Sequence, residues 1–275
     1  MGVLIIDENK CKKDGFCVRE CPSRIIQLDG GNGYPQMVSW GESACTSCGH
    51  CVAICPQGAL SHTKVPVAEC TVIKEELRIN EEKAEQFLRY RRSIRLYEDK
   101  PVEQEKVQKL IEVARYAPTA GNSQLVEWLV VTDKTTIKEV ASSTAEWVRK
   151  VLNDEPRMAA VAPYLSLIVK SWDEGYDSVL RNAPVVVVAS APKEAMNGMV
   201  DLTLALSYLT LMAPTMGLGT CLAGLVQRAL LSSPSLKNTL GIPAEHPHHY
   251  PIMLGYTKAK YYRLPERKPP RITFK

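Results

Sequence analysis

The chain has 275 residues, enough for one large domain or two ordinary ones. Its 34 basic and 30 acidic side chains are interspersed and give a net charge of +4, so no basic tract predicts nucleic-acid binding. We find no apolar stretch that predicts a membrane span and no basic start of a signal peptide, so we expect a cytoplasmic protein with reduced cysteines.

Two related cysteine runs stand near the amino end. Residues 11–22 read CKKDGFCVRECP, and residues 45–56 read CTSCGHCVAICP. The second run has the spacing C-x2-C-x2-C-x3-C-P, by which bacterial proteins ligate iron–sulfur clusters. The first run matches it at an offset of 34 residues, except that Asp14 stands where Cys48 would be expected. A zinc ribbon or a disulfide knot suits such closely spaced thiols less well, so the pattern predicts two clusters.

The fourth cysteine of each run ligates the other cluster in proteins with two such clusters. This rule gives two predicted ligand sets, one of Cys21, Cys45, Cys48 and Cys51, and the other of Cys11, Asp14, Cys17 and Cys55. Residues 1–63 accordingly resemble bacterial two-cluster [4Fe–4S] ferredoxins.

Asp14 departs from the pattern of those ferredoxins. A carboxylate is a harder ligand than a thiolate and holds an iron–sulfur core less firmly. Three alternatives stay open: Asp14 ligates iron, water or hydroxide does, or the iron is lost and a [3Fe–4S] core remains. Some ferredoxins that resemble this segment use an aspartate as the ligand, so we favour ligation by Asp14 over a solvent-facing turn residue.

Short strands are predicted around the cluster loops, at residues 3–6, 25–28 and 36–38. They suggest two pseudo-symmetric halves, each with one loop, one short helix and one strand pair. So small a module has little apolar core, and metal–thiolate bonds are expected to supply much of its folding energy. Residues 64–84 are predicted to be a linker, in which Cys70 is not a ligand.

Helical and extended patterns alternate through the rest of the chain, which predicts an α+β domain over residues 85–275 with a mixed sheet surrounded by helices. Predicted helices cover the segment from residue 81, then 103–116, a broken helix at 137–152, and a buried helix at 201–216 that Pro214 should end. Predicted strands cover 126–131, 185–189 and 252–255. Residues 157–176 are poorly patterned and form a candidate lid, and the three histidines between 246 and 249 are expected at the surface of a loop.

Three stretches of this part point to a bound cofactor when they are taken together. They are RRSIR at 91–95, where clustered guanidiniums suit a phosphate, APTAGNSQ at 117–124, and GLGTCLAG at 217–224. Each is weak alone, because basic helix ends and glycine-rich turns are common.

In this order, and followed by Arg267-Lys268-Pro269, the stretches resemble the nitroreductase family of FMN flavoproteins over residues 85–275. The resemblance implies that the FMN phosphate and ribityl chain are bound by Arg91, Arg92, Ser93 and Arg95, with Arg267 or Lys268 completing the phosphate site. It implies that the isoalloxazine is flanked by Leu222, Ala223 and Gly224, and contacted from the partner subunit of a homodimer by Pro118, Thr119, Ala120 and Asn122. One departure is that Leu125-Val126 replace the Pro-Trp pair common in the family.

The whole chain therefore resembles a ferredoxin–nitroreductase fusion. We expect an oxidoreductase in which electrons from a reduced ferredoxin or a similar low-potential donor pass through the clusters to FMN and on to a small electrophile, such as a nitro compound or a quinone. Two alternatives stay open: an NAD(P)H-dependent flavin reductase whose clusters are the electron outlet, and an electron carrier or flavin-storage protein without its own substrate. No residue is nominated as a catalytic acid.

Overall fold

The computed structural model describes residues 2–275, which form two compact units. The first unit comprises the chain as far as Arg78 together with Gly121–Ser123, and the second comprises Ile79–Ala120 and Gln124–Lys275. The boundaries expected from the sequence, at residues 63 and 85, stay predictions.

The first unit contains four short strands and three short helices. In chain order these are β1 Leu4–Ile6, α1 Phe16–Glu20, β2 Ile26–Leu28, β3 Pro35–Met37, α2 Gly41–Ala44, α3 His50–Ala53 and β4 Leu60–His62. β1 pairs with β4 and β2 pairs with β3, both antiparallel. Each pair joins one strand from each half of the unit, so the prediction that each half forms its own strand pair is wrong. Within a half, the cluster loop and its helix separate the two strands, and the partner strand comes from the other half.

The second unit is a sheet covered by helices on both faces. Its elements are α4 Glu81–Tyr90, α5 Gln104–Ala114, β5 Glu127–Val131, α6 Lys134–Asp154, α7 Met158–Val161, α8 Tyr164–Asp173, β6 Val185–Ala191, α9 Gly198–Met212, β7 Leu218–Leu222, α10 Gly224–Ser232, α11 Pro234–Leu240 and β8 His248–Tyr256. The strand order is β5-β6-β8-β7, and all three neighbouring pairs are antiparallel. Ser93 forms an isolated parallel β-bridge with Thr220 of β7.

The central strand β6 is buried along its whole length, because both faces of the sheet are covered. Val186 and Val188 pack in a core that includes residues of α6, α10 and α11. Val185 and Val187 point to the other face and pack in a core that includes residues of α5 and α9. The continuous apolar run that predicted a buried strand is explained by this two-sided burial.

One prediction about helices is wrong, and the candidate lid at 157–176 stays a prediction. α6 is continuous over 21 residues instead of broken. Asp133 caps its start by accepting from the backbone N–H of Thr136, and the hydroxyl of Thr144, which lies in its middle, donates to the carbonyl of Val140. Residues 157–176 are largely helical, as α7 and α8, and Leu165 of α8 is buried beside Val148 of α6.

α9 ends at Met212 and continues as a 3-10 turn at Ala213–Met216, in agreement with the stop predicted from Pro214. By length and composition alone, Gly198–Met216 meets the criteria for a membrane span, with a mean hydropathy of 1.3, although no span was expected from the sequence. Leu202 and Leu209 of this helix are fully buried in the core beneath the sheet. One face of the helix therefore packs in the core, and 39% of the apolar window is buried.

Candidate functional site

Two cavities in the first unit are each lined by one of the predicted ligand sets. The first is lined by residues that include Cys21, Cys45, Cys48 and Cys51. The second is lined by residues that include Cys11, Asp14, Cys17 and Cys55. Strand pairing between the two halves thus brings the last cysteine of each run to the cavity of the other run.

The backbone of the two cysteine runs repeats as closely as their sequences do. Left-handed residues occur at equivalent positions 34 apart, with Lys13 (φ 57°) matching Ser47 (φ 53°) and Gly15 (φ 70°) matching Gly49 (φ 74°). Each glycine caps the amino end of a short helix, α1 or α3. Since a left-handed residue turns the chain sharply, these positions fold each run around its cavity.

The thiols surround a space and do not converge on one point. Within residues 2–275, no three histidine, cysteine or acidic side chains are grouped as ligands of a single ion would be. Burial, and secondarily the neighbouring Cys48, raises the pKa of Cys51 to about 11, and burial also raises the pKa of Cys17. A buried thiol of this kind becomes a thiolate when cations compensate its charge, as the irons of a cluster do. A zinc ion would compensate the thiolates as well, so the preference for iron–sulfur clusters comes from the cysteine spacing and from the two four-residue linings.

Asp14 lies at the cavity with one carboxylate oxygen already engaged. Its Oδ1 accepts from the backbone N–H of Phe16 at 3.1 Å, and its main-chain carbonyl accepts from the guanidinium of Arg19. These bonds fix the side chain and leave Oδ2 without a hydrogen-bond partner in the described part of the chain. The arrangement is compatible with ligation by Asp14, which stays a prediction.

His62, which lies outside both cysteine runs and was not predicted as a site residue, lines the first cavity. It is buried, with Nε2 3.6 Å from Sγ of Cys45 and Nδ1 accepting from the backbone N–H of Lys64 at 3.0 Å. Burial and the nearby Lys64 lower the pKa of His62. The cysteine spacing carries no signal for this residue, because the pairing of β4 with β1 is what brings it to the cavity.

In the second unit, two of the three stretches predicted to bind a flavin lie against each other. The backbone N–H of Ile94 donates to the carbonyl of Thr220 at 2.9 Å, beside the bridge between Ser93 and Thr220. A Cβ at Gly219 would overlap the side chain of Ile94. This glycine therefore lets the segment at 91–95 pack on β7.

The end of β7 leads into a helix beside this contact. Leu222 is half exposed, Ala223 is buried, and Gly224 begins α10. Arg91 and Arg92 are partly buried, and Arg95 is exposed. Guanidiniums, a hydroxyl and a free helix start together are a donor set suited to a phosphate-bearing cofactor.

The loop at 117–124 is held by two hydrogen bonds inside the second unit. The backbone N–H of Ala120 donates to Oδ1 of the buried Asp201 at 3.1 Å, and that of Gln124 donates to the hydroxyl of Thr119 at 3.0 Å. Ser123, which belongs to the first unit together with Asn122, has a buried hydroxyl without a hydrogen-bond partner among residues 2–275.

The remaining predicted contacts are placed elsewhere. Asn122 belongs to the first unit, where its Nδ2 donates to the carbonyls of Thr46 at 3.0 Å and Ser47 at 3.3 Å. Arg267 and Lys268 lie in an exposed terminal segment and form no hydrogen bond or ion pair with the other residues that the structure describes. The flavin-contacting roles expected of these three residues stay predictions.

Two of the three histidines expected at the surface of a loop, His246 and His249, are buried instead. His249 belongs to β8, which begins at His248, and His246 precedes that strand. His246 Nδ1 lies 2.9 Å from the hydroxyl of Ser190, and His249 Nδ1 lies 3.2 Å from Oε1 of Gln227. Glu127 lies 3.8 Å from Nε2 of His246, so Ser190, His246 and Glu127 are arranged in series like a serine–histidine–acid triad. Ser190 is only 3% exposed, however, so its hydroxyl cannot reach a substrate as a nucleophile.

A module with two cavities, each lined by four predicted cluster ligands, that is joined to an α+β unit defines the class of iron–sulfur proteins with a second functional domain. The model of the nitroreductase family matches residues 88–256, and that of the 4Fe-4S dicluster domain matches residues 3–56. The chain belongs to the nitroreductase family, since that match covers more than half of it. The predicted ferredoxin–nitroreductase fusion and its fold class are thereby confirmed.

Similar proteins are consistent with this membership. A protein of Archaeoglobus fulgidus, provisionally described as an NADH dehydrogenase/NAD(P)H nitroreductase, is 25% identical over 190 residues, which cover 66% of this chain and 91% of that protein. A nitroreductase of Bacteroides fragilis with bound FMN has a TM-score of 0.55 and 18% identity, covering 71% of this chain and 99% of its own. A nitroreductase of Desulfitobacterium hafniense with bound FMN has a TM-score of 0.56 and 18% identity, covering 72% and 99%. At such identities, the structural likeness establishes the fold.

Proposed function

We propose that this protein is an FMN-dependent oxidoreductase in which iron–sulfur clusters supply electrons to the flavin for reduction of a small electrophile, such as a nitro compound or a quinone. The observation that carries the proposal is the pair of cavities, each lined by a complete set of four predicted cluster ligands, in a chain of the nitroreductase family. A cluster exchanges one electron at a time, and FMN, when bound, exchanges electrons singly or in pairs.

Different residues of the second unit would bind different parts of FMN. Arg91, Arg92 and Ser93 are placed by the contact with β7 and provide donors for the phosphate. Leu222 supplies apolar surface for a flat ring, and Gly224 begins a helix whose free N–H groups favour negative charge. Asp201 fixes the backbone of the loop at 117–124, which is its positioning role.

Rapid kinetics on the anaerobic holoprotein tests the direction of electron flow. We expect a reduced low-potential ferredoxin to reduce the clusters first and the flavin afterwards, and we expect NADH or NADPH alone to leave the flavin oxidised over the same time. Rapid flavin reduction by NADH or NADPH alone would overturn this direction. It would favour the alternative in which NAD(P)H reduces the flavin and the clusters carry electrons outward. The Archaeoglobus fulgidus protein is provisionally described as an NADH dehydrogenase/NAD(P)H nitroreductase.

An electron-carrier role without a substrate makes a different prediction. In that case, the reduced holoprotein would turn over no nitroaromatic compound, quinone or enone. We expect turnover of at least one of these classes, measured as reoxidation of the flavin under anaerobic conditions.

A homodimer is proposed as the working form. α9 presents Met199, Val200, Leu204 and Tyr208 to solvent, each at least 36% exposed, on the side opposite its core face. The terminal segment adds Phe274, which is 92% exposed. Exposed apolar surface of this kind marks an interaction site, and light scattering at low concentration would detect the dimer.

A further inference from the structure

The buried His62 contacts a predicted cluster ligand in a defined protonation state. Its Nδ1 accepts a hydrogen bond from the backbone N–H of Lys64 at 3.0 Å, so that nitrogen carries no proton. The ring is therefore the neutral tautomer with its hydrogen on Nε2, and Nε2 lies 3.6 Å from Sγ of Cys45. His62 is 2% exposed, so water does not compete for this contact.

We propose that His62 donates an N–H···S hydrogen bond to the thiolate of Cys45 and thereby raises the reduction potential of the cluster held by Cys21, Cys45, Cys48 and Cys51. Reduction adds negative charge that the sulfur ligands share, so a hydrogen bond to sulfur is stronger in the reduced state. The proposal rests on the assignment of Cys45 as a ligand. His62 acts through that ligand, so it tunes the site and is not a catalytic residue.

At the second cavity, the hydrogen bond to a cysteine sulfur comes from the backbone and not from a side chain. Within residues 2–275, the lining of this cavity contains no imidazole, and Sγ of Cys55 accepts from the backbone N–H of Ala59 at 3.3 Å. A backbone donor is retained when side chains are substituted, whereas the donor at Cys45 is a side chain. Substitution of His62 is therefore expected to shift one of the two cluster potentials and leave the other in place.

The test is a potentiometric titration of the full-length holoprotein, followed by EPR, with iron counted in each sample. His62→Phe keeps an aromatic ring and removes the donor. We expect the reduction equilibrium constant of one cluster to fall about tenfold, which is about 59 mV for a one-electron couple. His50→Gln is the matched control, because His50 lines the same cavity but bonds to Glu20 at 3.1 Å and to no cysteine sulfur in the described chain.

A second pair of variants keeps the proposal testable if His62→Phe does not assemble its cluster. His62→Gln would place an amide nitrogen near the position of Nε2, and His62→Asn would place one near Nδ1; both replacements are polar and of similar size. We expect His62→Gln to keep the wild-type potential within about a factor of two in equilibrium constant and His62→Asn to show the shift.

Two results would overturn the proposal. One is equal potentials in His62→Gln and His62→Asn, and the other is a shift in His62→Phe no larger than that in His50→Gln. Failure of the cluster assignment itself would show separately, as wild-type protein that lacks the iron content and the EPR signals of two clusters.

Discussion

The most consequential single residue in the first unit is Asp14, because it alone among the eight predicted ligands is not a thiolate. Its Oδ1 is held by the backbone N–H of Phe16, so the carboxylate has a fixed direction at the second cavity. A hard ligand binds a soft iron–sulfur core weakly. The corner of the cluster at Asp14 should therefore be the one that exchanges or loses its iron most readily.

Replacing Asp14 tests this expectation. We predict that Asp14→Cys yields a four-iron cluster that survives brief exposure to air, since a thiolate is the matched ligand. We predict that Asp14→Ala yields the EPR signal of an oxidised three-iron cluster. Asp29→Ala serves as a control, because Asp29 bonds to Gln36 and does not line either cavity. Identical iron content and EPR spectra in wild type and both Asp14 variants would show that Asp14 is a turn residue only.

A buried histidine in the second unit makes stability depend on pH. Burial, and secondarily Lys237, lowers the pKa of His249, whose Nδ1 lies 3.2 Å from Gln227. Below about pH 6.5 the unfolded chain binds a proton that the folded chain does not, so the free energy of unfolding falls as pH decreases. Each pH unit contributes at most about 1.4 kcal/mol.

We therefore expect the second unit of the wild type to be less stable at about pH 5 than at about pH 7. His249→Gln cannot titrate and should flatten this dependence. Urea unfolding of the flavin-bearing unit at both pH values measures the effect. A variant with the same pH dependence as the wild type would assign the effect to other groups.

At the scale of elements, the contact between β7 and the segment at 91–95 depends on one glycine. A Cβ at Gly219 would overlap the side chain of Ile94, whereas a Cβ at Gly224 would lie 3.3 Å from the hydroxyl of Tyr250. An alanine at position 219 would need displacement of the backbone, because the overlap includes Cβ of Ile94. An alanine at position 224 would need the hydroxyl of Tyr250 to move by only a few tenths of an ångström. We predict that Gly219→Ala costs about 1–3 kcal/mol of stability and reduces FMN retention, because it displaces the predicted phosphate-binding arginines.

The comparison of Gly219→Ala with Gly224→Ala separates packing from flavin contact. Gly224→Ala should change the thermal unfolding midpoint little, even where it weakens FMN binding. The flavin-to-protein ratio after gel filtration and the unfolding midpoint are the two measurements. Unchanged values of both in Gly219→Ala would mean that this contact is not needed for the flavin site.

Features encoded by neighbouring residues were predictable from the sequence, and features that depend on strand pairing were not. The predicted cluster ligands, which line the two cavities, follow a local spacing, and Pro214 ends α9 because proline blocks the next helical hydrogen bond. The exchange of strands between the halves of the first unit has no local signal, and His62 depends on it. Asp201 is the one charged residue of α9, but its hydrogen bond to Ala120 joins positions 81 residues apart, so no local pattern in the sequence indicates that bond.

At the scale of the whole molecule, the two units should differ in what stabilises them. The apolar clusters of the first unit are small and contain Cys17 and Cys21 themselves, so residues that would bind the metal also form the core. The second unit has two larger cores on the faces of its sheet, without predicted cluster ligands. Loss of iron should therefore remove most of the folding energy of the first unit and leave that of the second intact.

Hydrogen exchange on the full chain, before and after oxidative bleaching of the clusters, tests this difference. We predict that amides in β1, β2 and β4 exchange much faster after bleaching, while amides in β6 keep their protection, because β6 is buried on both faces by apolar side chains. Reconstitution with iron and sulfide should restore protection in the first unit, which controls for damage by the oxidant. Loss of protection in β6 together with the first unit would mean that the two units unfold as one, and unchanged exchange in β1 and β4 would mean that metal–thiolate bonds are not what holds the amino-terminal module together.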